Sequence, residues 1–500
     1  MSICSPETML ALEHSAFADG ISAEALMEEA GRGMAAAVSQ FAPVPGVCLA
    51  VFGKGHNGGD ALVCARILSE NGWRVYLIAA FSTAALAPLT SRKWDEAGRC
   101  ETLSVAQLHT WSVDPSRPLV LLDGLLGIGA SGALRSPILE AARSINQLRQ
   151  RSHAQVFALD LPTGLDAATG TAAPDTVVAD VTLTVALAKT GLVADGAERF
   201  TGRLAVIPLD ALSSRIRLTP TEEAATPHNL AGLWKRQPAD AHKGDCGRVS
   251  LLAGNRGSVG AAALAALGAL RAGAGLVTLW VPRAIYPIAA SLVPVECMVQ
   301  PVDDPRDILA TRADALGIGP GLGLEKPDEV LSVIREFRGP AVIDADALTI
   351  LAASLETLRH CGGPRLLTPH PGEMARLAPD FPKHSRRDAV REFTKEWPVT
   401  LLLKGARTLV GTQDLALSYN TTGNPGMASG GMGDVLTGVC AALLAQKHTC
   451  HDAARLGAWL CGRSAEALIA AGIRSEESLL ASDVAGALGE AFQALRKRSA

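Results

Sequence analysis

Short and almost uninterrupted apolar runs alternate with longer amphipathic segments along most of the chain. In the first part of the chain, these runs predict buried strands at 47–52, 73–80, 119–123, 156–160, 181–187 and 204–208. The stretch at 22–40 predicts a helix before the first strand, because Ser22 suits an N-cap and Glu24 an acidic first turn. Continuous apolar strands separated by helices indicate a parallel sheet that is covered on both faces.

This pattern breaks between about 211 and 242, where Pro, Thr and charged residues follow one another without a sustained period. Such a segment predicts a linker and a domain boundary. A second α/β series then begins, with strands predicted at 248–253, 276–281, 315–318, 341–344, 365–368 and 399–403. We predict two different α/β domains, a first domain at 1–215 and a second at 228–500, joined by a linker at 216–227.

Composition and charge narrow the class of protein. The 500 residues are 48% hydrophobic, which supplies enough apolar material for sizeable cores and excludes global disorder. The formal net charge is −4 without a dominant basic stripe, so nucleic acid is not an expected partner. The ten cysteines include no CxxC pair, which argues against zinc-ribbon folds. The N-terminus lacks a signal-peptide pattern and the uncharged run at 257–270 is too short to span a bilayer, so we expect a cytoplasmic protein without a membrane partner.

The segment GKGHNGGDA at 53–61 follows a predicted strand and precedes a helical pattern. Its glycines permit close backbone approach, and the free N–H groups of a helix start favour an anion such as phosphate. Asp123 and Asp160 stand at the ends of later strands, where open α/β sheets bind their ligands. Asn57, Asp123 and Thr163 offer hard oxygen ligands suited to an alkali or alkaline-earth cation. Helix capping is the alternative use of each aspartate.

The sharpest feature of the chain is GMASGGMGDVLTG at 426–438. A glycine-rich turn at a helix start forms an anion hole for a transferring phosphate, and Asp434 can act as base on the attacking hydroxyl. The alternative is that Asp434 caps the helix after a flexible loop. Lys404 and Gly405 follow another predicted strand, where both can contact phosphate. His370 lies in a rigid turn between two prolines, and a structural and a binding role both stay open.

The motifs AGRGMA, GKGHNGGDA, DGLLGIG and ALDLPTGLD, in this order, resemble the N-terminal epimerase domain of the bifunctional NAD(P)H-hydrate repair enzymes. The resemblance implies a Rossmann-like domain, with Asp160 as its catalytic carboxylate and potassium ligands at Asn57, Asp123 and Thr163. His56 and Ile128 stand where an Asn and a Thr are usual in the family. The implied contacts with the hydrated nicotinamide nucleotide are His56, Asn57, Gly58, Gly59, Asp60, Gly127, Ile128, Gly129, Ala130, Ser131, Gly132, Ala133 and Asp160.

The motifs KGDCG, GIGPGLG, DADAL, TPHPGE, LKG and GGMGDVLTG resemble the ADP-dependent dehydratase domain of the same enzymes. With the first half, the resemblance covers nearly the whole chain and implies a ribokinase-like α/β fold for the second domain. Asp434 is the implied base. The implied contacts with the hydrated nucleotide are Ala261, Gly321, His370 and Asp434, and those with ADP or AMP are Lys404, Gly405, Ala406, Arg407, Thr408 and Gly433.

The resemblance implies repair of hydrated NADH and NADPH. The first domain would interconvert the R and S hydrates, and the second would use ADP to dehydrate the S hydrate, leaving AMP and phosphate. Potassium in the first domain, magnesium with the nucleotide and a homo-oligomeric assembly belong to the same expectation. Two alternatives stay open: an ATP-dependent small-molecule kinase of the ribokinase-like group with a non-catalytic first domain, and a nucleotide-binding regulatory protein with a decayed first domain.

Overall fold

The computed structural model describes residues 1–112, 117–213, 215–216, 220–234 and 237–497. The chain divides into two compact units, Met1–Pro220 and Thr221–Ala500. Each unit contains one extended, mainly parallel sheet. None of the helices in the described ranges is long and apolar enough to cross a membrane.

The first unit is built on a sheet whose strands all run parallel. The strands of this unit are β1 (Ile3–Cys4), β2 (Val47–Phe52), β3 (Arg74–Ala79), β4 (Glu101–Thr102), β5 (Leu119–Gly124), β6 (Gln155–Leu159), β7 (Val181–Val185), β8 (Ala188–Lys189) and β9 (Arg203–Ile207). The main sheet has the order β4-β3-β2-β5-β6-β7-β9, and β1 pairs with β8 separately. The helices are α1 (Pro6–Ala18), α2 (Ala23–Phe41), α3 (His56–Glu70), α4 (Pro88–Glu96), α5 (Val105–Leu108), α6 (Ile138–Ser152), α7 (Glu198–Thr201) and α8 (Asp210–Ser213).

Apolar side chains cover both faces of this sheet. Because side chains alternate along a strand, Ala50 and Phe52 of β2 pack with α2 and α3, whereas Leu49 and Val51 pack with α6. Helix α2 begins where the sequence predicts, since the Ser22 hydroxyl accepts a hydrogen bond of 3.1 Å from the Ala25 amide. The predicted parallel sheet with helices on both faces is therefore confirmed for the first unit.

The second unit contains a longer sheet in the order β10-β19-β18-β17-β16-β15-β14-β11-β12-β13, in which β18 alone among the described strands runs antiparallel to its neighbours. Its strands are β10 (Glu222–Ala225), β11 (Arg248–Leu252), β12 (Leu276–Pro282), β13 (Met298–Val302), β14 (Ala315–Ile318), β15 (Ala341–Ile343), β16 (Arg365–Leu367), β17 (Thr400–Leu403), β18 (Leu409–Thr412) and β19 (Leu417–Asn420). Its helices are α9 (Pro227–Leu230), α10 (Val259–Arg271), α11 (Tyr286–Leu292), α12 (Pro327–Glu336), α13 (Ala345–Ala352), α14 (Pro371–Leu377), α15 (Arg386–Glu396), α16 (Met432–Ala445), α17 (Cys450–Ala470), α18 (Ala481–Gly486) and α19 (Leu488–Arg496).

Helices α10 and α16 approach each other so closely that their backbones touch. A Cβ atom added at Gly438 of α16 would lie 1.9 Å from the carbonyl oxygen of Ala265 in α10, and one at Gly268 would lie 2.4 Å from that of Val435. Only glycine fits at such a crossing. This packing fixes α16 over the sheet and holds the first turn of the helix, which carries Asp434, in place.

The linker predicted at 216–227 needs a correction. Residues 222–225 form the strand β10, which pairs in parallel with β19 of the second sheet. The buried Glu222 carboxylate lies 2.7 Å from an Arg387 nitrogen and 2.8 Å from one of Arg391, and Glu223 lies 2.5 Å from Arg455. These pairs attach a polar strand to the sheet, although its sequence shows no apolar run. The domain limits themselves stay predictions.

Candidate active sites

In the first domain, the order of the strands opens a crevice above β2 and β5. β3, the next strand along the chain, lies on one side of β2, whereas β5 lies on the other side. The strand order therefore reverses at β2, and open α/β sheets bind ligands at such a reversal. The Gly53 amide donates a hydrogen bond of 3.1 Å to the carbonyl of Gly124, which joins the two loops. A Cβ at Gly53 would lie 2.0 Å from the Leu125 carbonyl oxygen, so the motif needs glycine there.

The three predicted cation ligands come together at this crevice. Asp123 accepts hydrogen bonds of 2.7 Å from the Thr163 hydroxyl and 2.8 Å from the Thr163 amide. The Thr163 hydroxyl oxygen also accepts from the Leu126 amide at 3.2 Å, and Asn57 Nδ2 donates to the Leu126 carbonyl at 2.8 Å. Asn57 Oδ1 is buried without a hydrogen-bond partner among the described residues. Burial raises the pKa of Asp123 to about 6.

This donor set fits an alkali cation. An orphaned buried amide oxygen, a buried carboxylate and a hydroxyl are all hard oxygen ligands. Within the described ranges, no three His, Cys, Asp or Glu side chains form a group that could hold a metal ion, so a zinc-type centre finds no support there. Asn57, Asp123 and Thr163 are therefore suited to an alkali cation by the chemistry of their oxygens.

Asp160 lies in a polar cluster that the sequence does not reveal. Its φ of 66° is left-handed, and Oδ1 accepts hydrogen bonds from the Val185 amide at 3.2 Å and from Lys189 Nζ. The Lys189 side chain is buried, with 1% of it exposed. Burial and the negative charges of Asp160 and Glu13 raise the pKa of Asp60 well above its ordinary range. The cluster thus couples an ion-paired carboxylate electrostatically to a second carboxyl group.

The two predicted substrate segments take different positions. His56 is exposed at the start of α3, Asn57, Gly58 and Gly59 are buried, and Asp60 is partly buried. The loop after β5 contains the remaining predicted contacts, and part of it lines a cavity of about 740 Å³. Asp160 is not among the residues that line this cavity. The cavity-lining members of the predicted set are Gly127, Ala130, Ser131, Gly132 and Ala133, whereas Ile128 and Gly129 lie in the same loop outside the lining.

In the second domain, Asp434 lies in the first turn of α16, behind Gly431 with its φ of 90°. Lys404 Nζ lies 2.7 Å from Asp344 Oδ1 and 3.9 Å from Glu373 Oε2. A Cβ at Gly433 would lie 3.2 Å from that same ammonium nitrogen, so Lys404 reaches the glycine-rich helix start. Burial and the Asp344 charge raise the pKa of Asp434 to about 6, against the opposing effect of Lys404. A carboxyl with this pKa suits a base near neutral pH.

Two predicted substrate contacts, Ala261 and Gly321, meet each other, and His370 lies at the start of α14. A Cβ at Gly321 would lie 3.1 Å from the Cβ of Ala261, so the loop after β14 touches the first turn of α10. His370 Nδ1 accepts hydrogen bonds from the amides of Gly372 at 3.0 Å and Glu373 at 3.3 Å. The structural role of His370 is thus present, and its half-exposed ring places Nε2 3.5 Å from Glu373 Oε1.

The predicted nucleotide segment forms a turn after β17. Gly405 and Ala406 are exposed, whereas the Arg407 side chain is buried. The Thr408 hydroxyl donates to the Gly405 carbonyl at 3.1 Å, and Arg386 donates to the Arg407 carbonyl at 3.0 Å. This turn and the start of α16 thus offer exposed backbone and a lysine at one edge of the sheet.

Glycine-rich loops and carboxylates at the carboxyl ends of two parallel sheets define a two-domain α/β enzyme. Family models agree: one described as "YjeF-related protein N-terminus" matches residues 23–191, and one described as "NAD(P)H-hydrate dehydratase" matches residues 249–485. The chain is 36% identical over 462 residues to a bifunctional NAD(P)H-hydrate repair enzyme of Moorella thermoacetica, with 86% of this chain and 84% of the relative covered. The corresponding enzyme of Escherichia coli is 35% identical, with 84% and 81% covered. The chain belongs to the family of bifunctional NAD(P)H-hydrate repair enzymes.

Solved structures are similar to part of the chain. An ADP/ATP-dependent NAD(P)H-hydrate dehydratase of Bacillus subtilis, co-crystallized with ATP/Mg²⁺, is 29% identical, with 54% of this chain and 97% of that chain covered and a TM-score of 0.49. A ribokinase-like superfamily protein of Enterococcus faecalis is 26% identical, with 56% and 98% covered and a TM-score of 0.49. Together with the two sheets, the matched families confirm the predicted fold class and the predicted family.

Proposed function

We propose that the second domain dehydrates the S hydrate of NADH and NADPH with ADP as phosphoryl donor. The observation that carries this proposal is the position of Asp434 at the glycine-rich start of α16, within the field of Lys404. A helix start and a lysine attract the phosphates of a nucleotide, and a carboxylate between them can act on a hydroxyl of the second substrate.

In the proposed reaction, Asp434 takes the proton of the C6 hydroxyl of the hydrate. The hydroxyl oxygen attacks the β-phosphorus of ADP, and the bond from that phosphorus to the oxygen of the departing AMP breaks. The amides before α16 and Lys404 stabilise the charge on the transferring group. Phosphate then leaves C6 and a proton leaves C5, which restores the double bond of the dihydronicotinamide. The transfer is needed because phosphate is a far better leaving group than hydroxide.

We also propose that the first domain interconverts the R and S hydrates. Asp160 would exchange a proton with the substrate, and Lys189 would hold its carboxylate in position, with Asp60 close enough for its pKa to be raised by the Asp160 charge. Asn57, Asp123 and Thr163 would hold a potassium ion, whose charge would order the loops after β2, β5 and β6. The presence of both activities in one chain is useful because a dehydratase alone leaves one epimer unrepaired.

The same proposal includes a metal ion, an oligomeric state and a cellular location. Magnesium would accompany the nucleotide phosphates in the second domain and neutralise part of their charge when bound. The family resemblance supports a homo-oligomer that works in the cytoplasm. Light scattering of the purified chain would measure the oligomeric state, and a monomer at micromolar concentration would contradict this part of the proposal.

The near-UV absorbance of reduced nicotinamide tests both halves in one assay. Purified protein is given mixed R and S NADH hydrate with ADP and potassium, and the spontaneous epimerisation rate is subtracted. Conversion of both epimers with release of AMP supports both activities. Conversion that stops at the S share contradicts the epimerase proposal, and no conversion with ADP or ATP contradicts the repair proposal and favours a small-molecule kinase.

A pair of variants tests the role of Asp434. Asp434→Asn should abolish turnover and retain nucleotide binding, because the amide keeps the shape of the carboxyl but cannot take a proton. Asp328→Asn is the matched control, since Asp328 is exposed in the first turn of α12. Turnover retained in Asp434→Asn would contradict the assignment of the base.

A further inference from the structure

The cavity of the first domain extends beyond the residues that the sequence implicates. It is lined by the loop that follows β5 and by the loop that follows β6, together with Phe81 after β3. Pro162 and Gly164, on either side of the cation ligand Thr163, belong to the lining. The cavity thus adjoins the proposed cation site and lies at the carboxyl edge of the sheet, where a substrate enters.

The two charged residues that line this cavity differ in whether other groups of the protein already bind their charge. The Asp166 carboxylate accepts hydrogen bonds from the amides of Ala168 at 3.1 Å and Thr169 at 2.8 Å, and from the Thr169 hydroxyl at 2.9 Å. Its charge is therefore engaged within its own turn. Arg135 is exposed in the lining and forms no ion pair with any residue that the structure describes. The cavity thus presents a cation that has no counter-ion among the described residues.

The start of helix α6 adds to this positive field. Ser136 and Ile138 both line the cavity, so the first turn of the 15-residue helix faces it. Helix starts carry a partial positive charge and favour anions. The nearby Glu140 carboxylate is hydrogen-bonded by the Ser136 hydroxyl and is not part of the lining. Arg135 and the helix start therefore form two independent sources of attraction for an anion.

We propose that Arg135 binds a phosphate group of the dinucleotide substrate in the first domain, an inference that rests on the proposed epimerase function. The hydrated nicotinamide ring is neutral, so the phosphates are the anionic parts of this substrate. The planar guanidinium offers paired N–H donors that match phosphate oxygens, which a lysine would satisfy less well. Because the phosphates are remote from the reacting carbon, Arg135 contributes to substrate binding and not to the proton transfer.

The test compares epimerisation of R-NADH hydrate and R-NADPH hydrate by the full chain and by Arg135→Gln. Loss of a charge-assisted contact should raise KM by roughly 10- to 100-fold with little change in kcat. Arg135→Lys should recover part of the loss. Arg99→Gln is the matched control, because Arg99 is exposed before β4 and outside the lining. Dehydration of the S hydrate should be unchanged in all variants.

Equal losses with both hydrates would assign Arg135 to the pyrophosphate, and a loss confined to NADPH hydrate would assign it to the 2′-phosphate. Either result supports the proposal. An Arg135→Gln enzyme that matches the native KM for both hydrates would overturn it. Failure of the epimerase proposal itself is distinguishable, because the native chain would then show no epimerisation above the spontaneous rate.

Discussion

The dehydration rate of the second domain should depend on pH through the Asp434 carboxyl. The pKa of this group is raised to about 6, and the proposed base must be ionised to take the hydroxyl proton. Above that pKa, most molecules carry the active base, and kcat/KM should reach a plateau. Below it, kcat/KM should fall about tenfold for each pH unit, so that activity at pH 5 is roughly a tenth of the plateau.

Neighbouring charges determine where this inflection falls. After burial, the charge of Asp344 is the largest effect that raises the pKa of Asp434, and the charge of Asp346 is a smaller one. Asp344→Asn should therefore move the inflection to lower pH, and Asp346→Asn should move it in the same direction by less. Each unit of displacement corresponds to about 1.4 kcal/mol of interaction between the charges.

The assay uses the purified S hydrate with ADP, so that the first domain does not limit the rate. Initial rates at low hydrate concentration are followed by near-UV absorbance from pH 5 to 8.5, and circular dichroism at each pH confirms that the chain stays folded. A profile that is flat between pH 5 and 7 would refute the assignment of Asp434 as the base. An inflection that stays unmoved in Asp344→Asn would refute the electrostatic account of its pKa.

Three further predictions concern the cation site, the epimerase cluster and the core. Replacing sodium by potassium at equal ionic strength should raise the Tm of the first domain in the native chain but not in Asn57→Ala, and equal Tm values in both salts would argue against a potassium site. Lys189→Met should lower epimerisation at least roughly tenfold, because Asp160 loses a charge-assisted hydrogen bond, whereas dehydration of the S hydrate should not change. Gly438→Ala should destabilise the second domain by about 3 kcal/mol in urea unfolding, since its Cβ would overlap α10, whereas Gly260→Ala on the open first turn of α10 should cost nothing. Similar unfolding curves for the two glycine variants would contradict the helix-crossing argument.

The buried strands were predictable because parallel strands under two layers of helices carry continuous apolar runs. β2 and β14 have the predicted limits, 47–52 and 315–318. β13 escaped prediction because it is an edge strand of its sheet, and its residues alternate between exposed and partly buried before a buried Val302. β10 escaped prediction for another reason. Its two glutamates pair with arginines from helices distant in the sequence, and such pairing leaves no pattern in the local sequence.

The candidate sites were predictable where a residue lies at the carboxyl end of a strand or within a few residues after it. Asn57, Asp123 and Thr163 meet because their strands are neighbours at one edge of the sheet. Lys189 was missed because it ends the two-residue strand β8, within an apolar run and outside any motif. A lysine in such a run was the available signal, since a buried ammonium requires a nearby anion. That this anion is Asp160 becomes apparent only from the tertiary structure.

The two proposed catalytic carboxylates differ in how they meet their lysines, and the difference suits their reactions. Asp160 holds the Lys189 ammonium directly, whereas the Lys404 ammonium lies against Asp344 and reaches Asp434 only through its field. The charge of Asp344 raises the pKa of Asp434 and so favours uptake of the hydroxyl proton, whereas Lys404 opposes it. Lys189, by contrast, holds the Asp160 carboxylate in position through a direct ion pair. The proposed base of the dehydration thus keeps a high proton affinity, whereas the proposed epimerase carboxylate is fixed in one orientation.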